Sequence, residues 1–337
     1  VPARRGALPV GKGMWIWRSE QAEGGDPHAI VARARAVGLS HLYVRTASLK
    51  QGFYAAGFLD RLLPVAHAAG IRVYAWDFPY LKNVPGDVER ALQAIRHVTP
   101  DGHRVDGYVA DIEMRSMGVN ISPQTAQGFG AGLRRAVGPN YPLIACVPRP
   151  SSQMLHYPFA DVVASFDAVA PMNYWLRRDP VRDVLGTFRE LGPLGKPLIP
   201  VGQAYDAVSE GGPPGVPHRD ELLRFMRAGD DVGAIGVSWW SWHHADQQAW
   251  DAIRDAGEFR LPAAPPAELT RGQVRAYQTL LTSLGFPTPV TGAWEPATAA
   301  AVQAYQQEAR LPATGVIDEA TRKTLFTPFP PPIHPQP

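Results

Sequence analysis

The chain has 337 residues, of which 45% are hydrophobic and 19% charged, enough apolar material for one large and one small globular domain. A formal net charge of +2 is too small to indicate nucleic-acid binding, and no apolar stretch approaches the roughly 20 residues of a membrane-spanning helix. Cys146 is the single cysteine, which excludes an internal disulfide and a cysteine-based zinc site.

Between residues 13 and 257, short apolar strands alternate with helical segments, the pattern of repeated strand–helix units on a parallel sheet. The eight predicted strands are 14–17, 41–45, 72–77, 107–113, 143–147, 168–174, 198–203 and 234–240. The predicted helices are 29–37, 59–69, 88–98, 126–137, 181–191, 221–228 and 247–256. Eight units in about 245 residues predict an α/β fold of the (β/α)8 TIM-barrel type. A doubly wound open sheet is the alternative, but no G-x-G-x-x-G follows the first strand.

The stretch 106–113, DGYVADIE, places two carboxylates at the end of the fourth predicted strand. Side chains two apart on a strand share a face, so Asp111 and Glu113 should point the same way, roughly 7 Å apart along the chain. Repulsion between the two charges would raise one pKa and keep a proton available near neutral pH, as the acid of a glycosidase requires. A strand end whose carboxylates only bind arginine or backbone N–H groups is the alternative, and the stretch alone favours neither.

In a (β/α)8 barrel the active site lies at the carboxyl ends of the strands. Flat rings stack on the apolar faces of sugars while carboxylates act on the glycosidic oxygen, so aromatic and polar residues at these ends predict a carbohydrate cleft. A single tryptophan there can equally fill the mouth of the barrel. Besides Asp111, Glu113 and Tyr174, the predicted substrate-binding residues are Trp17, Arg45, Asp77, Asn173, Gln203, Tyr205 and Trp240.

The C-terminal part of the sequence repeats itself. VRAYQ at 274–278 recurs as VQAYQ at 302–306, and TGAWEPAT at 291–298 recurs as TGVIDEAT at 314–321. One copy is too small to bury an apolar face, so the two should pack as one helical module. The predicted organisation is a barrel over 1–260, a Pro/Ala linker (LPAAPPAE) over 261–268, a small all-α domain over 269–326 and a Pro-rich tail over 327–337.

The fourth-strand motif resembles that of family 18 glycoside hydrolases, the chitinase-type enzymes, which carry D-G-x-D-x-D-x-E. Asp106, Gly107, Asp111 and Glu113 match the first Asp, the Gly, the last Asp and the Glu of this pattern, while Val109 replaces the first inner Asp. Lysozymes of glycoside hydrolase family 25 also carry D-x-E on the fourth strand. Their additional first-strand Asp, however, is absent from GMWIW.

Two further segments of the barrel resemble the chitinase-type family. PMNYW at 171–175 is similar to the sixth-strand M-x-Y-D segment, with Trp175 in place of its Asp. GVSWW at 236–240 is similar to the eighth-strand segment that ends in Trp. The resemblance therefore extends over the barrel through three short motifs.

The resemblance implies a role for each of three residues. Glu113 would be the general acid, which protonates the leaving oxygen and then activates water. Asp111 would hold and polarise the 2-acetamido group of the substrate, whose carbonyl oxygen acts as an internal nucleophile, and Tyr174 would hydrogen-bond the same group. Val109, in place of an acid, would leave Asp111 in a drier and less charged setting.

Residues 269–326 resemble the peptidoglycan-binding domain of bacterial cell-wall hydrolases. That domain shows the patterns L-Q-x-x-L, G-x-x-x-x-x-T and A-V-x-x-F-Q, which appear here as YQTLL, GAWEPAT, AVQAYQ and LPATGVIDEAT. The polysaccharide partner that the resemblance implies is peptidoglycan. A helical repeat that binds another polymer, or only packs on the barrel, is the alternative.

No metal or cofactor is expected. His243 and His244 follow the last predicted strand, but adjacent residues do not converge on one metal, and no H-E-x-x-H spacing occurs. Neither a G-x-S-x-G elbow nor a Walker loop is present. The segment 208–217 is rich in Gly, Pro and Ser and predicts a surface loop over the mouth, either a connector or a lid.

These observations lead to one hypothesis of function and one alternative. The hypothesis is a monomeric, secreted glycosidase of the bacterial cell wall, acting on N-acetylated glycans such as peptidoglycan or a chitin-like polymer. Export agrees with a first residue, Val1, that is not Met. The alternative is a carbohydrate-binding or scaffolding barrel without turnover.

Overall fold

The computed structural model describes residues 8–151, 154–259 and 261–326, so the predicted tail 327–337 lies outside the described residues. The strands are β1 (Gly11–Ile16), β2 (His41–Arg45), β3 (Ala47–Ser48), β4 (Gly52–Phe53), β5 (Arg72–Asp77), β6 (Gly107–Asp111), β7 (Leu143–Pro148), β8 (Ala168–Asn173), β9 (Val201–Gln203) and β10 (Gly236–Trp240). Within these residues, β1, β2 and β5 to β10 close into a parallel barrel in the order β1, β10, β9, β8, β7, β6, β5, β2, and β3 pairs with β4 as a separate hairpin.

In chain order, eight helices surround the barrel, and three more form the C-terminal domain within the described residues. They are α1 (Pro27–Ala36), α2 (Ala56–Ala68), α3 (Val84–Arg96), α4 (Pro123–Val137), α5 (Phe159–Val163), α6 (Pro180–Leu191), α7 (Arg219–Val232), α8 (Gln247–Asp255), α9 (Arg271–Ser283), α10 (Pro296–Glu308) and α11 (Glu319–Phe326). The predicted (β/α)8 barrel with a C-terminal helical domain is confirmed, and each predicted strand and helix has its counterpart. The sequence analysis did not predict α5 or the hairpin of β3 and β4.

The predicted end of α7 at residue 228 is wrong, because this helix continues to Val232. Gly229, which lies inside it, packs against Val237 and leaves no room for a larger side chain. Gly233, with a φ of 90°, is the residue that ends the helix.

Alternation along the strands sorts the barrel side chains into two sets. Trp15, Tyr43, Tyr74 and Val109 belong to the cluster that fills the barrel interior. Their neighbours on the strands, such as Ala110, belong to a second cluster with the surrounding helices. The carboxyl ends of the strands therefore present only every second residue to the mouth of the barrel.

The C-terminal domain repeats one hydrogen-bonding arrangement around two buried glutamines. The Gln278 amide nitrogen donates to the Ala293 carbonyl oxygen at 2.8 Å and to Thr298 Oγ1 at 2.9 Å, and its oxygen accepts from the Gly292 N–H at 2.9 Å. Gln306 repeats this arrangement on the second copy. Its amide nitrogen donates to the carbonyl oxygen of Val316 at 2.9 Å and to Thr321 Oγ1 at 2.8 Å, and its oxygen accepts from the N–H of Gly315 at 2.8 Å. The sequence repeat is thus also a structural repeat.

The C-terminal domain packs against the barrel. Leu261, in the Pro/Ala segment, is buried, and Ala264 pairs with Ile317 as an antiparallel bridge. On α9, Gly272 approaches the backbone carbonyl oxygens of Asp230 and Asp231 on α7 so closely that a Cβ atom would collide with them. The segment 261–268 is therefore held between the two parts of the chain.

Candidate active site

Asp111 and Glu113 both lie at the mouth of the barrel. β6 ends at Asp111, but the next residue keeps strand geometry: the Ile112 N–H donates to the Cys146 carbonyl oxygen at 2.9 Å, and the Ile112 carbonyl oxygen accepts from the Tyr157 hydroxyl at 2.6 Å. Ile112 is buried among the residues that face the helices. The residues on either side of it consequently face the mouth together.

Burial dominates the protonation of both carboxyl groups. It raises the pKa of Asp111, which is 8% exposed, well above its usual range, and the neighbouring Glu113 charge raises it further. Burial also raises the pKa of Glu113 to about 7, against a lowering by the Met114 backbone N–H, and the charge of Glu210 adds to the rise. The leading cause of both rises is removal from water, whereas the sequence analysis expected like-charge repulsion.

The surroundings of Asp111 leave part of it without a partner. Cys146 lies beside Asp111 in the register of β6 and β7, and its buried thiol lowers the pKa of that carboxyl, as does the Arg45 charge. Asp111 Oδ1 and Arg45 Nε are buried and have no hydrogen-bond partner in the described part of the chain. The Arg45 guanidinium lies over the Trp76 ring at 5.4 Å. Such unpaired groups are costly in a folded chain and are typical of a ligand site.

Aromatic rings line the side of the mouth formed by the neighbouring strands β1, β10, β9 and β8. Trp17 and Trp240, both half-buried, lie 6.1 Å apart at the ends of β1 and β10, and His243 lies 5.7 Å from Trp17. Next to them, the Tyr205 ring lies 6.3 Å from that of His244, and the rings of Tyr174 and Tyr205 meet edge to face at 5.4 Å. Burial raises the pKa of Tyr174 well above its usual value, so its hydroxyl remains a hydrogen-bond donor.

Two predicted substrate-binding residues do not reach the mouth. Asp77 is buried on the outer face of β5, where its carboxylate accepts from Arg90 Nε at 2.5 Å and from the Phe78 N–H at 2.7 Å. Asn173 is buried on the outer face of β8, and its amide nitrogen donates to Asp183 Oδ2 at 3.0 Å. Both positions alternate with residues that face inward, so their side chains bind helices instead.

Gln203 faces inward, but both ends of its side-chain amide are hydrogen-bonded to other residues of the chain. Its oxygen accepts from the Leu176 N–H at 3.0 Å, and its nitrogen donates to the Tyr205 carbonyl oxygen at 3.3 Å. It is also buried. Gln203 therefore shapes the loops at the mouth.

Trp175 also points away from the mouth. Its ring packs against Phe225 at 5.4 Å between centroids, and its Nε1 donates to Glu221 at 3.2 Å. The position at which the resembled family carries an aspartate therefore offers this mouth no carboxylate.

Sequence analysis missed two residues of the mouth. His243 was considered only as a metal ligand, although its position just after β10 places it beside Trp17. Glu210 lies on the loop after β9 and accepts a hydrogen bond from the Tyr205 hydroxyl at 2.9 Å. For Glu210 no periodic pattern in the sequence gives a signal, because the conformation of an irregular loop decides where it points.

The described ranges contain neither a cluster of three or more His, Cys, Asp or Glu side chains that could hold a metal ion nor a helix long and apolar enough to cross a bilayer.

Comparison with known families identifies the C-terminal domain. Residues 270–325 match the family model described as "Putative peptidoglycan binding domain". The resemblance predicted for this part of the sequence is confirmed. A sequence comparison with curated proteins gives no significant match.

The barrel is similar to solved glycoside hydrolase structures. An endo-1,4-beta-mannanase from Rhizomucor miehei shares 10% identity with a TM-score of 0.56, with 73% of this chain and 93% of that one covered. A class V chitinase from Pseudomonas fluorescens Pf-5 shares 13% identity with a TM-score of 0.50, with 74% of this chain and 99% of that one covered. The resemblance to chitinase-type barrels is thereby confirmed for the fold, and identities this low carry no more than the fold.

Proposed function

We propose that the protein is a secreted, cell-wall-associated glycosidase that cleaves N-acetylated glycans, with peptidoglycan as its substrate. The observation that carries this proposal is the pair Asp111 and Glu113 at the barrel mouth, in which burial raises the pKa of Glu113 to about 7. A carboxyl group with such a pKa can donate a proton at neutral pH and take one back later in the same cycle.

The proposed reaction proceeds in two steps. Glu113 gives its proton to the glycosidic oxygen as the bond to C1 breaks, while the carbonyl oxygen of the 2-acetamido group bonds to C1. Glu113, now a carboxylate, then takes a proton from water, whose oxygen attacks C1 and releases the acetamido group. In this proposal the hydroxyl of Tyr174 and the carboxyl of Asp111 bind the acetamido group, which the unpartnered Asp111 Oδ1 supports within the described part of the chain. No enzyme nucleophile is required.

The aromatic residues of the mouth and the C-terminal domain both support the proposal of a cell-wall glycan as substrate. Trp17 and Trp240 offer flat rings for sugar faces. The match of residues 270–325 to a peptidoglycan-binding model supports an attachment to the wall, which would raise the local concentration of glycan.

The test of this function is the release of new reducing ends from purified peptidoglycan, across pH and wall sources. Wild-type protein should release them, and a thiazoline-type analogue of the cyclised intermediate should inhibit competitively. No release above that of a heat-inactivated sample would refute the proposal. An inert analogue combined with trapping of Asp111 by a fluorinated sugar would instead indicate an ordinary covalent nucleophile.

Attachment to the wall can be tested separately. Residues 269–326 expressed alone should sediment with insoluble cell walls, because the two glutamine-centred repeats are complete within this segment. Residues 1–260 should sediment less than the full chain. If only the fragment containing the barrel sediments, wall recognition belongs to the barrel.

A second candidate function is glycan binding without turnover. It is favoured by Val109, which fills the barrel interior where the resembled family has an acid, and by Trp175, which faces the helices. Binding that is tight, without product, and unaffected by Glu113→Gln would establish it. Product that disappears in that variant would exclude it.

A further inference from the structure

We propose that Glu210 is a third carboxylate of the active site, held at the barrel mouth by the Tyr205 hydroxyl, and that it accepts a hydrogen bond from a hydroxyl group of the bound glycan. Glu210 belongs to the loop that follows β9, and two strands, β8 and β7, separate β9 from β6 in the barrel. The loop thus brings a carboxylate to the mouth from a different side than the strand that carries Glu113.

Contacts within the mouth hold Glu210 in place. Its Oε2 accepts from the Tyr205 hydroxyl at 2.9 Å, and the Tyr205 ring packs against Tyr174. The next residues of the loop are fixed by Arg177, which donates to the carbonyl oxygens of Gly211 at 2.8 Å and Gly212 at 3.3 Å. The side chain of Glu210 is exposed, and its Oε1 has no protein partner in the described part of the chain. This oxygen can accept a hydrogen bond from a hydroxyl group of a ligand in the mouth.

Two positions near the mouth carry no charged side chain. Trp175 at the end of β8 is turned toward the helices, and Val109 on β6 is apolar, so neither supplies a charge. Asp111, which is nearly buried at the mouth, has an Oδ1 without a partner in the described part of the chain, so a polar group of a ligand could pair with it. Glu210 brings a carboxylate to the mouth from the loop that follows β9.

Electrostatics links Glu210 to Glu113. The Glu210 charge raises the pKa of Glu113, whereas the same charge is not among the main influences on Asp111. The titratable groups that act with Glu113 from the surrounding elements are Asp111 on β6, Cys146 on β7, Tyr157 after β7, Tyr174 after β8, and Tyr205 and Glu210 after β9. Of these, Glu210 is the exposed acid, so its influence should weaken as salt screens it.

The test is an NMR titration of the full-length protein carrying 13C in its glutamate carboxyl groups, with Glu113 assigned from the spectrum of Glu113→Gln. Glu210→Gln should lower the apparent pKa of Glu113 by a few tenths of a unit to about one unit at low salt, and by less at high salt. Glu210→Asp should largely retain the wild-type value because it keeps the charge. Glu190→Gln, an exposed glutamate at the end of α6, is the matched control and should have no effect.

An unchanged pKa of Glu113 in Glu210→Gln, or an equal change in Glu190→Gln, would overturn the inference. With peptidoglycan as substrate, Glu210→Gln should also shift the alkaline limb of the kcat/KM profile to lower pH and raise KM. This kinetic part rests on the proposed glycosidase function, whereas the NMR part does not. Absence of any turnover would therefore refute the function and leave the titration to decide on Glu210.

Discussion

The barrel mouth and the C-terminal domain differ in whether their buried polar side chains have hydrogen-bond partners. In the C-terminal domain, Gln278 and Gln306 are fully buried, and both ends of each amide are hydrogen-bonded to the chain. In the mouth, Asp111 Oδ1 and Arg45 Nε are buried without a partner among the described residues. Satisfied groups define a structure, whereas unsatisfied ones lower stability and are retained where a ligand uses them.

This contrast separates residues that serve stability from residues that serve chemistry. Substitution of a satisfied glutamine should reduce stability. Substitution of an unsatisfied carboxyl should reduce activity and leave stability equal or improved. The following predictions test that separation.

Apart from the loss of Glu113 itself, the largest effect is expected for Asp111→Asn on turnover. If Asp111 polarises the acetamido group as proposed, loss of its carboxyl should lower kcat by about 10²-fold to 10⁴-fold on N-acetylated glycans. Initial rates on acetylated and de-N-acetylated peptidoglycan measure the effect. Asp220→Asn, on the exposed surface of α7, is the control. Equal rates for Asp111→Asn and wild type would remove Asp111 from the chemistry.

Gln306→Ala should destabilise the C-terminal domain by about 2–4 kcal/mol, because the Gly315 N–H and the Thr321 hydroxyl would lose a buried partner. Urea unfolding of the full chain measures this change. Gln307→Ala, at an exposed position of the same helix, should change stability by less than about 0.5 kcal/mol. Similar losses in both variants would contradict the assigned role of Gln306.

A smaller effect is expected for Glu113→Gln on the way the free energy of unfolding changes with pH. Since the pKa of Glu113 is raised from 4.5 to about 7, the folded state favours its protonated form, and the wild type loses stability as pH rises through this interval. Glu113→Gln should escape this loss, which is on the order of 3 kcal/mol. Thermal unfolding at pH 4.5 and pH 8 measures it, with Glu89→Gln on the exposed face of α3 as control. A difference that does not grow with pH would show that burial does not set the Glu113 pKa.

Most of the fold could be predicted from the sequence because its signals are local. Apolar strands and the helices between them gave the barrel, and the repeated VxAYQ motif gave the C-terminal domain. The docking of that domain could not be predicted, since it depends on a close approach of Gly272 to α7 that no periodicity encodes.

The candidate site was predicted in part. Asp111 and Glu113 followed from alternation on one strand. The same rule, applied to β5, places Trp76 inward and Asp77 outward, yet Asp77 was selected for its position at a strand end alone. Glu210 depends on the path of a loop, which sequence patterns describe poorly.

The central claim is that Glu113 delivers the proton that breaks a wall glycan. The most direct measurement compares wild type, Glu113→Gln and Glu89→Gln on purified peptidoglycan, with reducing ends quantified across pH. The account predicts release by wild type and Glu89→Gln that declines above about pH 7, in line with the pKa of Glu113, and almost none by Glu113→Gln. Release by Glu113→Gln at the wild-type rate would contradict it.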